Sequence, residues 1–290
     1  NLTVQSNNIS KAYYGIYAVA SATGLMDNLN IVQNIIGNVT DASSIGNMGV
    51  YVAYGTGGAI SQNTIFNIKT GTNAKGISIS NGFVSATVSG NLIYAIRYTG
   101  STGYGGKGID INTLNAASNI TFANNMIYDI TGDGYSGSSD NICGFRVASG
   151  GGYNFYYNSV NLFGSISRAS ATADISGAMF IISGVTNLNI KDNIFANSLE
   201  NTTGVATSYA IYSNATSNTI FTSINNNDYF ASGVEGVLGS INAINSTNLA
   251  QWQSGTGSGQ DANSVAGDPK FVSNTDLHIQ TAAVSPVSDA

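Results

Sequence analysis

Val88-Ser-Gly-Asn-Leu-Ile93 is the stretch that decides the fold, because an apolar residue stands three positions before Asn91 and another two positions after it. Phe122-Ala-Asn-Asn-Met-Ile127 repeats this pattern one unit later. Successive copies are 27 to 35 residues apart, and they are centred on Asn7, Asn34, Asn63, Asn91, Asn125, Asn158, Asn193 and Asn227. A fixed period of this size is typical of repeat architectures.

A second element lies between these copies. It begins with a glycine and continues as a strand in which apolar residues alternate with variable ones, starting at Gly15, Gly49, Gly76, Gly108, Gly144 and Gly177, with a degraded copy at Ala210. Alternation with a period of two places one face of a strand inside and the other outside. The outward column two residues after each start then contains Tyr17, Tyr51, Ser78, Asp110, Arg146, Met179 and Tyr212.

The repeats predict an all-β chain, namely a right-handed parallel β-helix of about eight coils with three short strands in each coil. Residues 1–234 form the coils in this prediction, and residues 235–290 form a C-terminal capping segment of the same domain. Within that segment we expect a helical turn at 249–253 and closing strands at 268–272 and 277–280. A solenoid needs such a cap to cover its last apolar coil.

The asparagine column has two interpretations. The inward-facing residues lie three positions before and two positions after the asparagine. This spacing breaks strict alternation, so the chain bends there, and asparagine tolerates the left-handed conformation that a bend uses. Stacked carboxamides can also bond from coil to coil, which would satisfy an inward-facing amide. We favour this structural ladder, and ligand binding is the alternative.

Composition excludes several classes of protein. Only 8% of the residues are charged, which is too few for the wet faces of a coiled coil or helical bundle. Nine Lys and Arg against fifteen Asp and Glu give a net charge of −6, which is unfavourable for nucleic-acid binding. No run of 18 apolar residues is present, so no membrane span is expected. No signal peptide is visible, and we interpret the chain as a mature protein or a piece of a longer one.

The tandem Asn-x-Ile-(Tyr/Phe) coils resemble right-handed β-helices of the pectate-lyase-like superfamily. Tyr156-Tyr-Asn-Ser-Val-Asn-Leu162, Leu249-Ala-Gln-Trp-Gln253, Asp268-Pro-Lys-Phe-Val272 and the motif that starts at Ser285 resemble β-helix regions of large secreted or surface proteins of Bacteroidetes-type bacteria. The resemblance implies an extracellular or cell-surface setting. It implies little about activity, because a fold does not fix a function.

An enzyme acting on an acidic polysaccharide would need paired carboxylates, or a calcium site with a basic residue. The candidate catalytic residues are Asp110, Asp133, Asp140 and Arg146. Asp110 and Arg146 lie one coil apart, and the alternative interpretation is an ordinary surface ion pair. No other cofactor is expected.

Asp129, Asp133 and Asp140 form the densest acidic group and are the candidate calcium ligands, although we favour a solvated loop because the Asp-x-Asp-x-Asp spacing is missing. His278 is the only histidine and Cys143 the only cysteine, which excludes a His/Cys metal cluster and makes a catalytic triad improbable.

Outward tyrosines are the remaining functional signal. Tyr17, Tyr51 and Tyr212 suit stacking against a sugar or contact with a partner, and the alternative is that tyrosine simply favours strands. We therefore expect a non-catalytic extracellular structural or adhesive module that binds glycans or surface proteins, or that associates end to end. A polysaccharide lyase or glycoside hydrolase is the second hypothesis.

Overall fold

Each repeat of the chain folds into three short strands, and equivalent strands of successive repeats pair in parallel. The computed structural model describes residues 1–257, 259–281 and 285–286. Three stacked sheets result, which confirms the predicted parallel β-helix of about eight coils.

The first sheet contains the strands that precede the repeated asparagine: Leu2–Gln5, Met26–Val32, Gly55–Ser61, Thr87–Ser89, Ile120–Ala123, Gly151–Tyr156, Thr186–Lys191 and Phe221–Asn225. The second sheet contains the strands that follow it: Asn8–Ile9, Ile35–Ile36, Thr64–Thr70, Leu92–Tyr98, Met126–Thr131, Ser159–Leu162, Ile194–Asn197 and Asp228–Ala231. The asparagine therefore marks the corner between these two sheets.

The third sheet contains the glycine-initiated strands: Tyr14–Val19, Met48–Ala53, Lys75–Ser80, Lys107–Asn112, Ile142–Ser149, Asp174–Ile181, Ala206–Ser213 and Gly236–Ile241, with Ile244–Ser246 added antiparallel at the edge. The strand Gly236–Ile241 pairs in parallel with the coil before it, although it lies beyond residue 234.

The remaining elements are short. Ser165–Ile166 pairs with Glu200–Asn201 in parallel, and Phe271–Ser273 pairs with Asp276–Ile279 as an antiparallel hairpin. Among the described residues, the helices are two 3₁₀ turns, Asp41–Ser43 and Asn218–Ile220, and one α-helix, Leu249–Thr256.

The core is a set of apolar columns inside the three sheets. From the second coil onward, every residue three positions before the repeated asparagine is fully buried: Ile31, Ile60, Val88, Phe122, Phe155, Ile190 and Ile224. Phe122 and Phe155 stack with ring centroids 4.9 Å apart. Full burial of such a side chain contributes about 1.5–3 kcal/mol, so the columns supply much of the stabilisation.

The eight asparagines form the predicted ladder. In the central rungs, the Nδ2 of Asn91 donates to the Oδ1 of Asn125 at 2.9 Å, and the backbone N–H of Asn91 donates to the same oxygen at 3.1 Å. The Nδ2 of Asn91 also donates to the carbonyl oxygen of Ile60 in the preceding coil. The same bonds to the next asparagine recur at every step from Asn7 to Asn227.

The bend itself is not made by the ladder asparagines, contrary to our expectation. The left-handed residue is the one immediately before each of them: Ser6, Gln33, Gln62, Gly90, Asn124, Tyr157, Asp192 and Asn226. Placing the left-handed conformation one residue earlier turns the carboxamide inward, where it can bond along the axis. The asparagine is therefore selected for its two-sided hydrogen bonding rather than for its backbone preference.

Glycines at the start of the third-sheet strands allow a close approach of the second sheet. A Cβ on Gly108 would lie 2.5 Å from the Cγ2 of Ile127 and 2.6 Å from the carbonyl oxygen of Gly144. In the sixth coil our predicted alignment is wrong by one residue, because Gly177 pairs with Cys143 and Phe180 pairs with Arg146. Ala178 takes the small position, so Met179 faces the core and Phe180 replaces it in the outward column.

The C-terminal segment closes the last coil. Trp252 of the α-helix is fully buried, and its Nε1 donates to the Oδ2 of Asp261 at 2.5 Å. Ser264 occupies the position of a ninth ladder residue, because its Oγ accepts the backbone N–H of Asn227 at 2.8 Å. The hydroxyl of Ser264 in turn donates to Asp261. The last polar rung is thus satisfied inside the protein.

The closing hairpin lies beside the coils rather than over their end. The Nδ2 of Asn161, in the second sheet, donates to the carbonyl oxygen of Asn274 between the two hairpin strands at 3.1 Å. Residues 287–290, which complete the motif that starts at Ser285, lie outside the described residues.

Candidate functional site

The outward column of the third sheet carries the first group of predicted site residues. Asp110 and Arg146 are neighbours in register, and the Arg146 Nη1 lies 2.9 Å from the Asp110 Oδ1. Lys75 completes the group, with its Nζ 2.5 Å from the Asp110 Oδ2. The Asp110 side chain is only 3% exposed, so the expected surface ion pair is in fact a buried group of three charges.

The ionisation of Asp110 follows from this environment. Burial opposes the charged form, but the positive charges of Lys75, Arg146 and Lys107 outweigh it and lower the pKa of Asp110 to about 2. Both carboxylate oxygens accept a charged donor. A carboxylate held in this way is a poor general acid at neutral pH, because it carries no proton to give.

Lys107 is the residue that sequence reasoning missed at this site. Its side chain is 1% exposed, and its Nζ lies 3.1 Å from the Oδ1 of Asn73 and 3.4 Å from the Oδ1 of Asp140. Burial lowers the pKa of the Lys107 amine. The signal was present in the sequence, since Lys75-Gly76 and Lys107-Gly108 place a lysine before the strand glycine in two successive coils.

The other acidic candidates are held separately. Asp129 pairs with Arg97 at 2.8 Å, and Asp133 accepts the backbone N–H of Gly103 at 2.8 Å. Asp140 accepts from Lys107 and from the hydroxyl of Ser139. Within the described ranges, no group of three or more His, Cys, Asp or Glu residues could hold a metal ion. The three aspartates therefore do not form the predicted calcium cluster, because each one is engaged by a different part of its own chain.

The candidate tyrosines occupy two different settings. Tyr17 and Tyr51 stack in successive coils with ring centroids 5.0 Å apart and planes at 13°. Tyr17 is 58% exposed and lies on the edge strand of the third sheet, whereas Tyr51 is half-buried between coils. Tyr212 is half-buried and packs on the fully buried Phe180 at 4.5 Å. Of the three rings, that of Tyr17 is the most accessible for stacking.

A second aromatic column was not singled out from the sequence. Phe66, Tyr94 and Tyr128 stack on the outer face of the second sheet, with centroids 5.0 and 5.1 Å apart and planes within 11°. These are the last residues of the Asn-x-Ile-(Tyr/Phe) motif, so the repeat itself carried the signal. Each ring stacks against its neighbour, and the column therefore exposes ring edges more than ring faces.

The remaining reactive side chains do not assemble a site. Cys143 is fully buried, and burial raises the pKa of its thiol to about 12. An inert buried thiol is the expected consequence. The Nδ1 of His278 lies 2.6 Å from the Oδ1 of Asp276, and the His278 side chain is 72% exposed on the closing hairpin.

Comparison of the chain with models of protein families, with curated protein sequences and with solved structures finds no match in any of the three. None of the helices in the described part of the chain has the length and apolar character needed to cross a membrane.

Proposed function

We propose that this chain is a non-catalytic structural or adhesive module, a stiff rod that presents its loops and side faces to other molecules. The observation that carries the proposal is the ladder, which runs through eight coils and continues into Ser264 of the closing segment. A repeat structure with such continuous internal bonding transmits load along its axis, since each coil is fixed to its neighbours.

The pairing of the acidic residues with basic residues supports the same proposal. Asp110, Asp129 and Asp140 are each paired with a lysine or arginine of the chain itself. A glycosidase needs one carboxyl group that can donate a proton and a second that is free to act on the sugar. These aspartates instead form ion pairs that join neighbouring coils.

The extracellular setting is part of the proposal and rests on the resemblance to β-helix regions of secreted and surface proteins of Bacteroidetes-type bacteria. The exposed ring of Tyr17 is the point at which we propose contact with a glycan or a surface protein. Antibodies against the chain, applied to intact producing cells with and without external protease, test the location. Labelling that disappears after protease treatment supports a surface protein, and labelling only after lysis contradicts it.

A polysaccharide lyase is the competing function, and one observation favours it. Lys75 and Arg146, whose side chains are each 15% exposed, lie on either side of Asp110 in the outward column of the third sheet. Such a group could attract an acidic polysaccharide. The test is incubation with acidic polysaccharides while following the ultraviolet absorbance of unsaturated products and the release of reducing ends. We expect no turnover, and turnover that is lost in Asp110→Asn would replace the structural proposal with the enzymatic one.

A further inference from the structure

A groove lies outside the asparagine ladder at the corner of the last coils. It encloses about 750 Å³, within the usual range for ligand sites, and it is lined by Tyr157, Asp192, Asn226, Asn263 and parts of the ladder's end. None of these residues belongs to the candidate sites described above.

Its lining follows from the geometry of the corner. Tyr157, Asp192 and Asn226 each precede a ladder asparagine and have φ angles of 58°, 59° and 56°. Asn263 precedes Ser264, which stands in for a ninth ladder residue. The four side chains therefore come from four successive rungs, and with a coil spacing of about 4.8 Å they extend about 14 Å along the axis.

The closing segment builds one side of this groove. The backbone N–H of Asn263 donates to the Oδ1 of Asn225 at 2.8 Å, and that of Val265 donates to the carbonyl oxygen of Asn227 at 2.8 Å. These bonds place residues 263–265 beside the last coil as an additional rung. The groove thus lies where the coils meet the cap.

Four of the polar side chains in the groove are free to bind a ligand. In the described part of the chain, the side chains of Tyr157, Asp192, Asn226 and Asn263 make no hydrogen bond to another residue. Near the first coils, by contrast, the side chains at this corner bond to one another. The Gln33 carboxamide donates to Gln62 at 3.2 Å and accepts from Gln5 at 3.1 Å.

We propose that this corner groove binds a neutral oligosaccharide. Two carboxamides and a carboxylate offer paired donors and acceptors that suit neighbouring hydroxyl groups, and the Tyr157 ring, which is 61% exposed, offers an apolar face for a sugar ring. Asp192 is the only charged residue in the lining, and the chain carries a net charge of −6. Both charges disfavour an acidic sugar. The proposal goes beyond the scaffold role, which requires no ligand here.

Saturation-transfer NMR and calorimetry with cellotetraose, maltotetraose, chitotetraose and tetragalacturonate test this proposal. We expect saturable binding of at least one neutral tetrasaccharide and none of the acidic one. Failure of all three neutral sugars to bind, or preferential binding of tetragalacturonate, would overturn the groove proposal while leaving the scaffold proposal intact.

Two variants locate the site without disturbing its backbone. Tyr157→Asn and Asn226→Gly remove a ring and a carboxamide, but both new residues tolerate a positive φ. We expect at least tenfold weaker binding in Tyr157→Asn, severalfold weaker binding in Asn226→Gly, and unfolding midpoints no lower than that of the parent. Tyr13→Asn, at a ring that is 60% exposed in the first coil, is the matched control and should bind normally. Binding that is lost in Tyr17→Ser and retained in Tyr157→Asn assigns the sugar to the edge of the third sheet and refutes the corner site.

Discussion

The two ends of this solenoid differ in how well their apolar and ladder positions are covered. In the first coil, Leu2 is 54% exposed and Asn7 is exposed. Beyond the last coil, Trp252 is fully buried and Ser264 satisfies the final ladder asparagine. The comparison shows that a side chain at a repeated position contributes according to what stacks on it.

The largest expected effect is at the C-terminal end, where the closing segment covers the last coil. Trp252→Ala should lower the free energy of unfolding by about 5 kcal/mol, because it leaves a cavity and removes a donor from the buried Asp261. Urea unfolding followed by circular dichroism measures the change. Leu2→Ala, an apolar truncation in the first coil, is the control and should cost less than about 1 kcal/mol. Equal losses in the two variants would mean that the helix does not act as a cap.

The ladder should show the same dependence on position. Asn125→Ala should cost about 4 kcal/mol, because the backbone N–H of Asn91 loses its acceptor and the carbonyl of Val88 loses its donor, both inside the core. Asn7→Ala changes a rung whose side chain is exposed and should cost less than about 1 kcal/mol. Chemical denaturation of both variants makes the comparison, and similar values would refute the idea that the ladder is worth most where it is buried on both sides.

Position-dependent burial also predicts a pH effect. The residue after the ladder asparagine is Ile35 in the second coil, 46% exposed, and Asp228 in the last coil, 2% exposed. Burial raises the pKa of Asp228 to about 7, since its Oδ1 accepts only the backbone N–H of Gly267 and its Oδ2 has no partner in the described part of the chain.

Because the folded protein holds this proton more tightly than the unfolded chain, the stabilisation is largest below about pH 4 and is lost as the pH rises to 7. The loss amounts to about 4 kcal/mol. Asp228→Asn should remove this part of the pH dependence when unfolding free energies are compared between pH 4 and pH 8. Asp27→Asn, at an exposed site in the strand Met26–Val32, should leave the pH dependence of the parent unchanged. A parent slope that persists in Asp228→Asn would contradict the assignment.

The smallest expected effect concerns the small residues of the third sheet. Gly108→Ala should cost about 2 kcal/mol, because the new methyl group would meet the Gly144 carbonyl oxygen and force the coils to shift. In the sixth coil the same position already holds Ala178, and Ala178→Gly should cost about 1 kcal/mol or less. Thermal unfolding of the two variants tests the comparison. A Gly108→Ala variant as stable as the parent would show that the coils move apart without a loss of stability.

Much of the fold could be predicted because its signals are local and repeated eight times. The apolar residues around Asn91 and Asn125 identify two inward columns, and the asparagine between them identifies the ladder. The shift at Gly177 was missed because a glycine is the usual marker of that position, while alanine at 178 is small enough to replace it. Packing against the neighbouring coil, rather than the local pattern, decides between these two alignments.

The candidate sites were predicted less well, since their chemistry depends on residues far apart in sequence. Asp110 and Arg146 were correctly paired from their shared column, but the burial of Asp110 and its contact with Lys75 follow from the stacking of three coils. The corner groove needs Tyr157 and Asn263, which are brought together only when the closing segment adds its rung.

The repeat, the three strands of each coil and the asparagine ladder could be predicted from the sequence, because each depends on residues that alternate or recur within one unit. The stacking of the coils sets which charges are neutralised, which rings remain accessible and where a groove opens. Those properties depend on what lies one coil above or below, and after the last coil that neighbour is the cap.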